Sequence, residues 1–591
     1  MVTRWLHEFN NVRKNMTIFN FNDDEALGKV ASVDTATVVV EVNDADLLKR
    51  LQVNRLVVLQ SSKPGQHLIG IINQVTRKKL IPSVVEENEE LFEEQNLCKV
   101  ALIGSLIDAD GIKRNIFRRT LESVPEIDAN CFALEGEQLT SFMRVISHAE
   151  ADGNSLTLGK YTLDENAIAY LNGNKFFQRH AFIGGSTGAG KSWTTARIIE
   201  QVSELKNANA IIFDLHGEYS PLNGNGISHF KVAGPSDIES GRTLADGAIY
   251  LPYWLLSYEA LVSLFVDRSD QNAPNQAMLM AREVNSAKTR YLEKGGYQDI
   301  LDNFTVDSPV PFDLASFIKE LNAINLERVP GARPGSDKVG EFNGKLSRMI
   351  SRLENKISDR RLGFLFQGGE DVLKFDWLNR LADALLGSND ENGNGGVKII
   401  NFSEVPSDVL PLIVSLVARL AFSVQQWTPS EDRHPVAIFC DEAHLYIPNK
   451  NVSGASDDIS IKIFERIAKE GRKYGVSLVV VTQRPSEVNK TILSQCSNFV
   501  AMRLTNSDDQ AVIKKLLPDS LGGFSDILPT LDTGEALVVG DASLLPSRIR
   551  IDEPNNKPNS GTIEFWKEWQ GDVTIGRLNK AIDNWRKQNI Q

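Results

Sequence analysis

The clearest pattern along the chain is a series of short, almost wholly apolar runs set between stretches of helical period. The runs at 211–214, 397–401, 436–440, 477–482, 499–502 and 536–539 lack the in-out alternation of a half-exposed strand. They predict strands buried on both faces, in a predominantly parallel sheet covered by helices. Ahead of them, residues 28–75 alternate β-branched segments such as 36–42 and 56–59 with turn residues, which predicts a small β-barrel. A charged loop at 85–95 separates that barrel from further strands running to about residue 158. Between the core runs, residues 255–388 have a helical period. The segment 345–358 there puts Leu346, Ile350, Leu353 and Ile357 on one face and Lys345, Arg348, Arg352 and Lys356 on another.

The organisation expected from these patterns is an α/β fold. It has an appended arm at 1–25, with Met16 as a second candidate start, and a β-rich region at 26–160. A core at 161–254 and 389–552 is split by a helical insertion at 255–388, and an extension at 553–591 follows. The extension opens with turn residues and ends in a helix with Trp566, Trp569 and Trp585. Three exposed tryptophans are costly, so they are expected to dock on the same or a neighbouring subunit.

Chemistry enters at the strand-like run 181–183. Gly185, Ser186, Thr187, Gly188, Ala189, Gly190, Lys191 and Ser192 follow it and spell a complete P-loop, and the helix-compatible stretch from Trp193 comes next. Glycines let successive backbone N–H groups turn toward phosphate oxygens, and the helix that follows presents its positive end to them. The pattern implies a nucleoside triphosphate, with Lys191 reaching the β- and γ-phosphates and Ser192 on Mg²⁺. The run 436–440 ends in Asp441 and Glu442, a Walker B pair. Asp441 is expected to hold Mg²⁺ through water, and Glu442 to orient and polarise the attacking water. Asp441, Glu442, Ala443 and His444 also spell the DEAH box of a helicase superfamily. Asp441 follows Lys191 by 250 residues, too far for that superfamily, so His444 reads as incidental to it. Gln483, at the end of the 477–482 run, is placed to contact the γ-phosphate.

Composition narrows the setting. A chain of 591 residues has length for two to four domains. Its four cysteines, Cys98, Cys131, Cys440 and Cys496, are far apart and form no CxxC pair, which fits a reducing cytoplasm rather than a zinc site or disulfide framework. The longest apolar run, 409–424, is interrupted by Arg419 and reads as too short to span a bilayer, and no signal peptide is evident. No membrane partner is therefore expected. A net charge of −13 counts against a nucleic-acid coat but leaves room for a local basic channel. Candidate contacts for DNA are Lys113, Arg114, Arg118 and Arg119, and the stripe of Lys345, Arg348 and Arg352; a solvated surface explains both groups as well.

Asp214, His216, Gly217, Glu218 and Tyr219 after a core run, Leu251 to Trp254, Glu470 to Val476, and Gln483 with Pro485 together resemble the HerA family of hexameric ATPases, related to FtsK-type DNA translocases. The likeness spans about residues 17–552 and includes the β-rich region where HerA proteins carry a barrel. It implies a RecA-like core, a homo-hexameric ring that hydrolyses ATP with Mg²⁺ at its subunit interfaces, and double-stranded DNA in the pore. Arg472, 11 residues before Gln483, matches the family's arginine-finger position, with Arg466 in reserve. Asp214 and Glu218 match positions near the nucleotide and metal. Two activities are compatible with the resemblance. One is a motor feeding DNA to a NurA-like nuclease. The other is a ring that scaffolds and regulates a phage-defence effector, a nuclease or sirtuin-type NADase, docked on its N-terminal face.

Overall fold

The computed structural model describes residues 18–42, 44, 47, 51–80, 93–108, 115–147, 155–330, 337–387, 396–449, 455–516, 526–561, 563–572 and 576–587. Met16, most of the 1–25 arm, Lys113 and Arg114 lie outside them. The chain forms two compact units, residues 1–174 with 538–552, and residues 175–537 with 553–591.

The first unit is built on seven strands: β1 (Gly28–Asp34), β2 (Thr37–Glu41), β3 (Leu56–Gln60), β4 (Gln66–Leu80), β5 (Glu93–Ile107), β6 (Ile116–Arg118) and β7 (Asn130–Ala133). Their order is β2-β1-β7-β3-β4-β5-β6, and β2 also pairs with β5, which closes six antiparallel strands into a barrel. Strand alternation fills the interior: Val38 and Val40 of β2 point in with Val30, Val57, Leu59, Leu68, Ile72 and Val100. The barrel expected at 28–75 is thus incomplete without β5 and β7. Strands β1 to β4 alone would leave open edges, and β7 fills the gap between β1 and β3. The unit also holds the hairpin β8 (Ser155–Tyr161) and β9 (Asp164–Asn172), with the strand Ser547–Ile551 antiparallel to β8. Arg118 lies 3.2 Å from Glu122, and the Arg119 guanidinium binds the Leu544 carbonyl.

The second unit carries the parallel sheet. Its strands are β10 (Ala181–Gly184), β11 (Ala210–Asp214), β12 (Ile227–Val232), β13 (Ala248–Ile249), the separate hairpin β14 (Arg328–Pro330) and β15 (Asp337–Val339), then β16 (Val397–Asn401), β17 (Val436–Cys440), β18 (Val476–Thr482) and β19 (Asn498–Met502). The sheet runs β13-β12-β16-β11-β17-β18-β10-β19. Strands β11, β17, β18 and β10 are buried throughout, as their apolar runs require. The order sets β10 between β18 and β19, so the loop after β10 emerges beside the ends of both.

Helices cover the sheet, and Leu410–Trp427 is the most apolar. It runs past residue 424 and is long and apolar enough to cross a membrane, yet 61% of it is buried inside the fold. The insertion is helical, and its basic helix spans Ser347–Ser358 with Met349, Ile350 and Leu353 buried. On the other face Arg348 lies 3.7 Å from Asp267. The tail forms two helices, Phe565–Glu568 and Arg577–Lys587. Trp566, Trp569 and Trp585 are 77%, 74% and 74% exposed, so none of the three is buried in its own chain. All four cysteines are free and buried.

Candidate active site

The loop between β10 and the helix Lys191–Ser203 turns through two left-handed glycines, Gly188 at φ 73° and Gly190 at φ 113°. A Cβ on Gly190 would also stand 2.8 Å from Met502 Cε. The loop is pinned from both sides. The Ser186 N–H donates to the Arg503 carbonyl at 2.7 Å, and the Gly534 N–H donates to the Ala189 carbonyl at 3.0 Å. Lys191 is buried, its ammonium donating to the Ser186 carbonyl at 3.4 Å. Burial lowers its pKa, while Glu442, Asp441 and Glu218 pull the other way.

Acidic groups gather opposite the lysine. Ser192 Oγ, in the first turn of the helix, donates to Glu218 Oε2 at 2.7 Å. Asp214, at the end of β11, accepts from the backbone N–H groups of Glu218 at 2.9 Å and Tyr219 at 3.1 Å, so its carboxylate shapes the loop that presents Glu218. Asp441, at the end of β17, is 4% exposed, and its carboxyl is pushed well above the usual carboxylate range by burial first and by Glu442, Glu218 and Asp214 after it. Burial likewise raises Glu442, which stands at φ 44°. Its Oε2 is buried without a hydrogen-bond partner. Gln483, just beyond β18, accepts from Thr187 Oγ1 at 2.7 Å.

This donor set suits a magnesium ion held together with phosphate. Among the described residues no three His, Cys, Asp or Glu side chains converge to hold a metal by themselves. The crowded carboxylates nevertheless call for positive charge beyond Lys191, and Ser192 Oγ, bonded to Glu218, puts a neutral oxygen beside them. A bound ion would be held there by Ser192 and phosphate oxygens, with Asp441 behind a water.

The two candidate arginines differ. Arg466 is engaged, with Glu470 at 3.4 Å, Gln426 at 3.2 Å and the Phe422 ring beneath it at 4.9 Å. Arg472, near the end of the same helix Ala455–Tyr474, is exposed and makes no hydrogen bond or ion pair among the described residues. Lys345, Arg348 and Arg352 are on the insertion and make no contact with this site among the described residues, and Arg118 and Arg119 belong to the other unit.

A C-terminal strap completes the surroundings. The backbone N–H groups of Asn555 and Asn556 donate to the buried Glu200 carboxylate at 3.0 and 2.8 Å, and Lys557 lies 5.0 Å over the Trp193 ring. The Asn559 N–H then donates to the Glu218 carbonyl at 2.7 Å. Sequence reasoning missed this strap because turn-rich residues carry no period to read. It also set aside His444, whose Nδ1 lies 3.3 Å from Glu442 Oε2.

A family model described as Helicase HerA, central domain, matches residues 156–421. The DNA double-strand break repair helicase HerA of Sulfolobus acidocaldarius is 25% identical over 413 residues, covering 69% of this chain and 71% of that protein. The protein of the same name from Pyrococcus furiosus is 25% identical over 460 residues, covering 73% and 74%. Among solved structures, VirB4 of Thermoanaerobacter pseudethanolicus aligns at a TM-score of 0.43 and 16% identity, over 69% of this chain and 98% of that one. The bacterial conjugative coupling protein TrwB aligns at 0.43 and 14%, over 73% and 95%.

Proposed function

The chain belongs to the HerA family of P-loop ATPases, and from that premise we propose that it is an ATP-driven translocase of double-stranded DNA, working in the cytoplasm as a ring of six. Lys191 and the P-loop N–H groups hold the triphosphate. Ser192 and, through water, Asp441 hold Mg²⁺, which when bound neutralises charge on the β- and γ-phosphates. Glu442 orients the attacking water and takes its proton, and Gln483 contacts the γ-phosphate. The neighbouring subunit supplies Arg472 to the same phosphate.

One observation carries the reading. Arg472 is an exposed cation without a partner among the described residues, on the helix that leads into the strand ending beside Gln483. A residue that serves a neighbour's site has to be left unpaired in its own chain, whereas Arg466 is already engaged. The motor then passes DNA to a partner nuclease or a defence effector docked on the N-terminal face.

The test is displacement of a third strand from a triplex on linear duplex DNA. The full chain with Mg-ATP should release the strand, and Glu442→Gln should not. ATP hydrolysis on the duplex with no release in either protein would remove the motor and leave a ring that regulates its effector.

A further inference from the structure

Glu442 stands in a left-handed backbone conformation that side chains of its size rarely adopt. The carboxylate is nearly buried, and nothing described donates to its Oε2. A base that must present one oxygen to water needs its other oxygen held, because rotation about the last bond exchanges the two. The nearest group able to do this is His444, two residues on in the short turn Ala443–Leu445. Its side chain is 8% exposed, and its Nδ1 is 3.3 Å from Glu442 Oε2, within ion-pair range but off the line of a hydrogen bond.

The ring is itself anchored. Nδ1 lies 3.2 Å from Thr482 Oγ1, which accepts the Arg484 N–H at 3.0 Å. Thr482 is the last residue of β18 and directly precedes Gln483, which is bonded to Thr187 of the P-loop. A connection therefore runs from the P-loop to Gln483, along the backbone to Thr482, and through the His444 ring to Glu442. An imidazole with its proton on Nδ1 has a single N–H there, and both Thr482 and Glu442 stand within reach of it.

We propose that His444 is a positioning residue for Glu442: its Nδ1–H, shared between Thr482 Oγ1 and Glu442 Oε2, holds Oε2 so that Oε1 faces the attacking water. This rests on Glu442 being the base. It gives the histidine set aside by its sequence context a role in the hydrolytic step, and it ties the base to the strand that leads into Gln483.

The test is single-turnover hydrolysis of Mg-ATP by the full chain, with nucleotide affinity measured alongside. His444→Ala should lower the rate by about ten- to a hundredfold, as loss of one hydrogen bond to a charged group does, with affinity unchanged. His444→Asn, whose amide N–H reaches toward the place of Nδ1, should recover most of it. Thr482→Val should cost several-fold, and combining it with His444→Ala should cost no more than His444→Ala alone. In a Glu442→Gln background His444→Ala should add nothing. An unchanged rate in His444→Ala, an Asn variant as poor as the Ala variant, or a full further loss on top of Glu442→Gln would each overturn the proposal. Normal hydrolysis by Glu442→Gln alone would remove the base assignment itself, and the proposal with it.

Discussion

Replacing Arg472 with alanine separates catalysis in trans from stability in cis. The side chain is exposed and makes no hydrogen bond or ion pair among the described residues, so its loss should change stability by less than about 0.5 kcal/mol. A cation on the transferring phosphoryl group is worth on the order of a thousandfold or more in rate, so hydrolysis should collapse in a protein that melts normally. Arg466→Ala is the contrasting case. It removes the contact over Phe422 and the bond to Gln426, so about 1 kcal/mol of stability should go while turnover changes little. Mixing supplies the decisive reading. A subunit carrying Arg472→Ala keeps Lys191, and one carrying Lys191→Ala keeps Arg472. In an equal mixture about one head-to-tail interface in four pairs an intact P-loop with an intact finger, so up to about a quarter of wild-type activity should return. Steady-state phosphate release across a range of mixing ratios is the assay. Near-normal hydrolysis by Arg472→Ala alone, or no recovery at any ratio, would refute the assignment.

The other expected outcomes concern the same site and the tail. Lys191→Ala should abolish binding of a fluorescent ATP analogue, while Glu442→Gln should bind it and turn over about a hundred- to ten-thousandfold more slowly; normal turnover by the Gln variant would contradict the role given to Glu442. The Asp441 carboxyl is raised above its unfolded value, so ionising it costs the folded state stability at neutral pH, and the cost disappears as pH falls through the folded pKa. Without Mg²⁺ and nucleotide, Asp441→Asn should therefore melt higher than wild type at neutral pH, with the gap narrowing on acidification; an equal or lower melting temperature would contradict this. Removing residues 563–591, whose tryptophans are about three-quarters exposed, should leave monomer melting unchanged but reduce assembly in light scattering. A lowered melting temperature with assembly intact would show that the tail packs on its own chain.

The sheet was legible wherever burial on both faces made a strand wholly apolar. The runs at β16 and β17 match their strands residue for residue. The edge strands β12 and β13 were not read, because β12 is only half-buried and mixes Ser228, His229 and Lys231 into its run, and β13 has two residues. In the barrel, closure depends on β7 pairing with β1 and β3, a long-range contact that no local pattern announces. The site followed the same rule. P-loop and Walker B residues stand out because their chemistry fixes their spacing. The hold on Glu200 by Asn555 and Asn556 joins residues about 355 positions apart and leaves no trace in either segment. Nor could composition tell Arg472 from Arg466, since the difference lies in what each side chain touches.

The central claim is met most directly by steady-state ATP hydrolysis on a sample of known mass, with and without linear double-stranded DNA. The account predicts a hexamer by light scattering whose hydrolysis is strongly stimulated by DNA. A hexamer whose slow hydrolysis ignores DNA, or a fully active monomer, would contradict it.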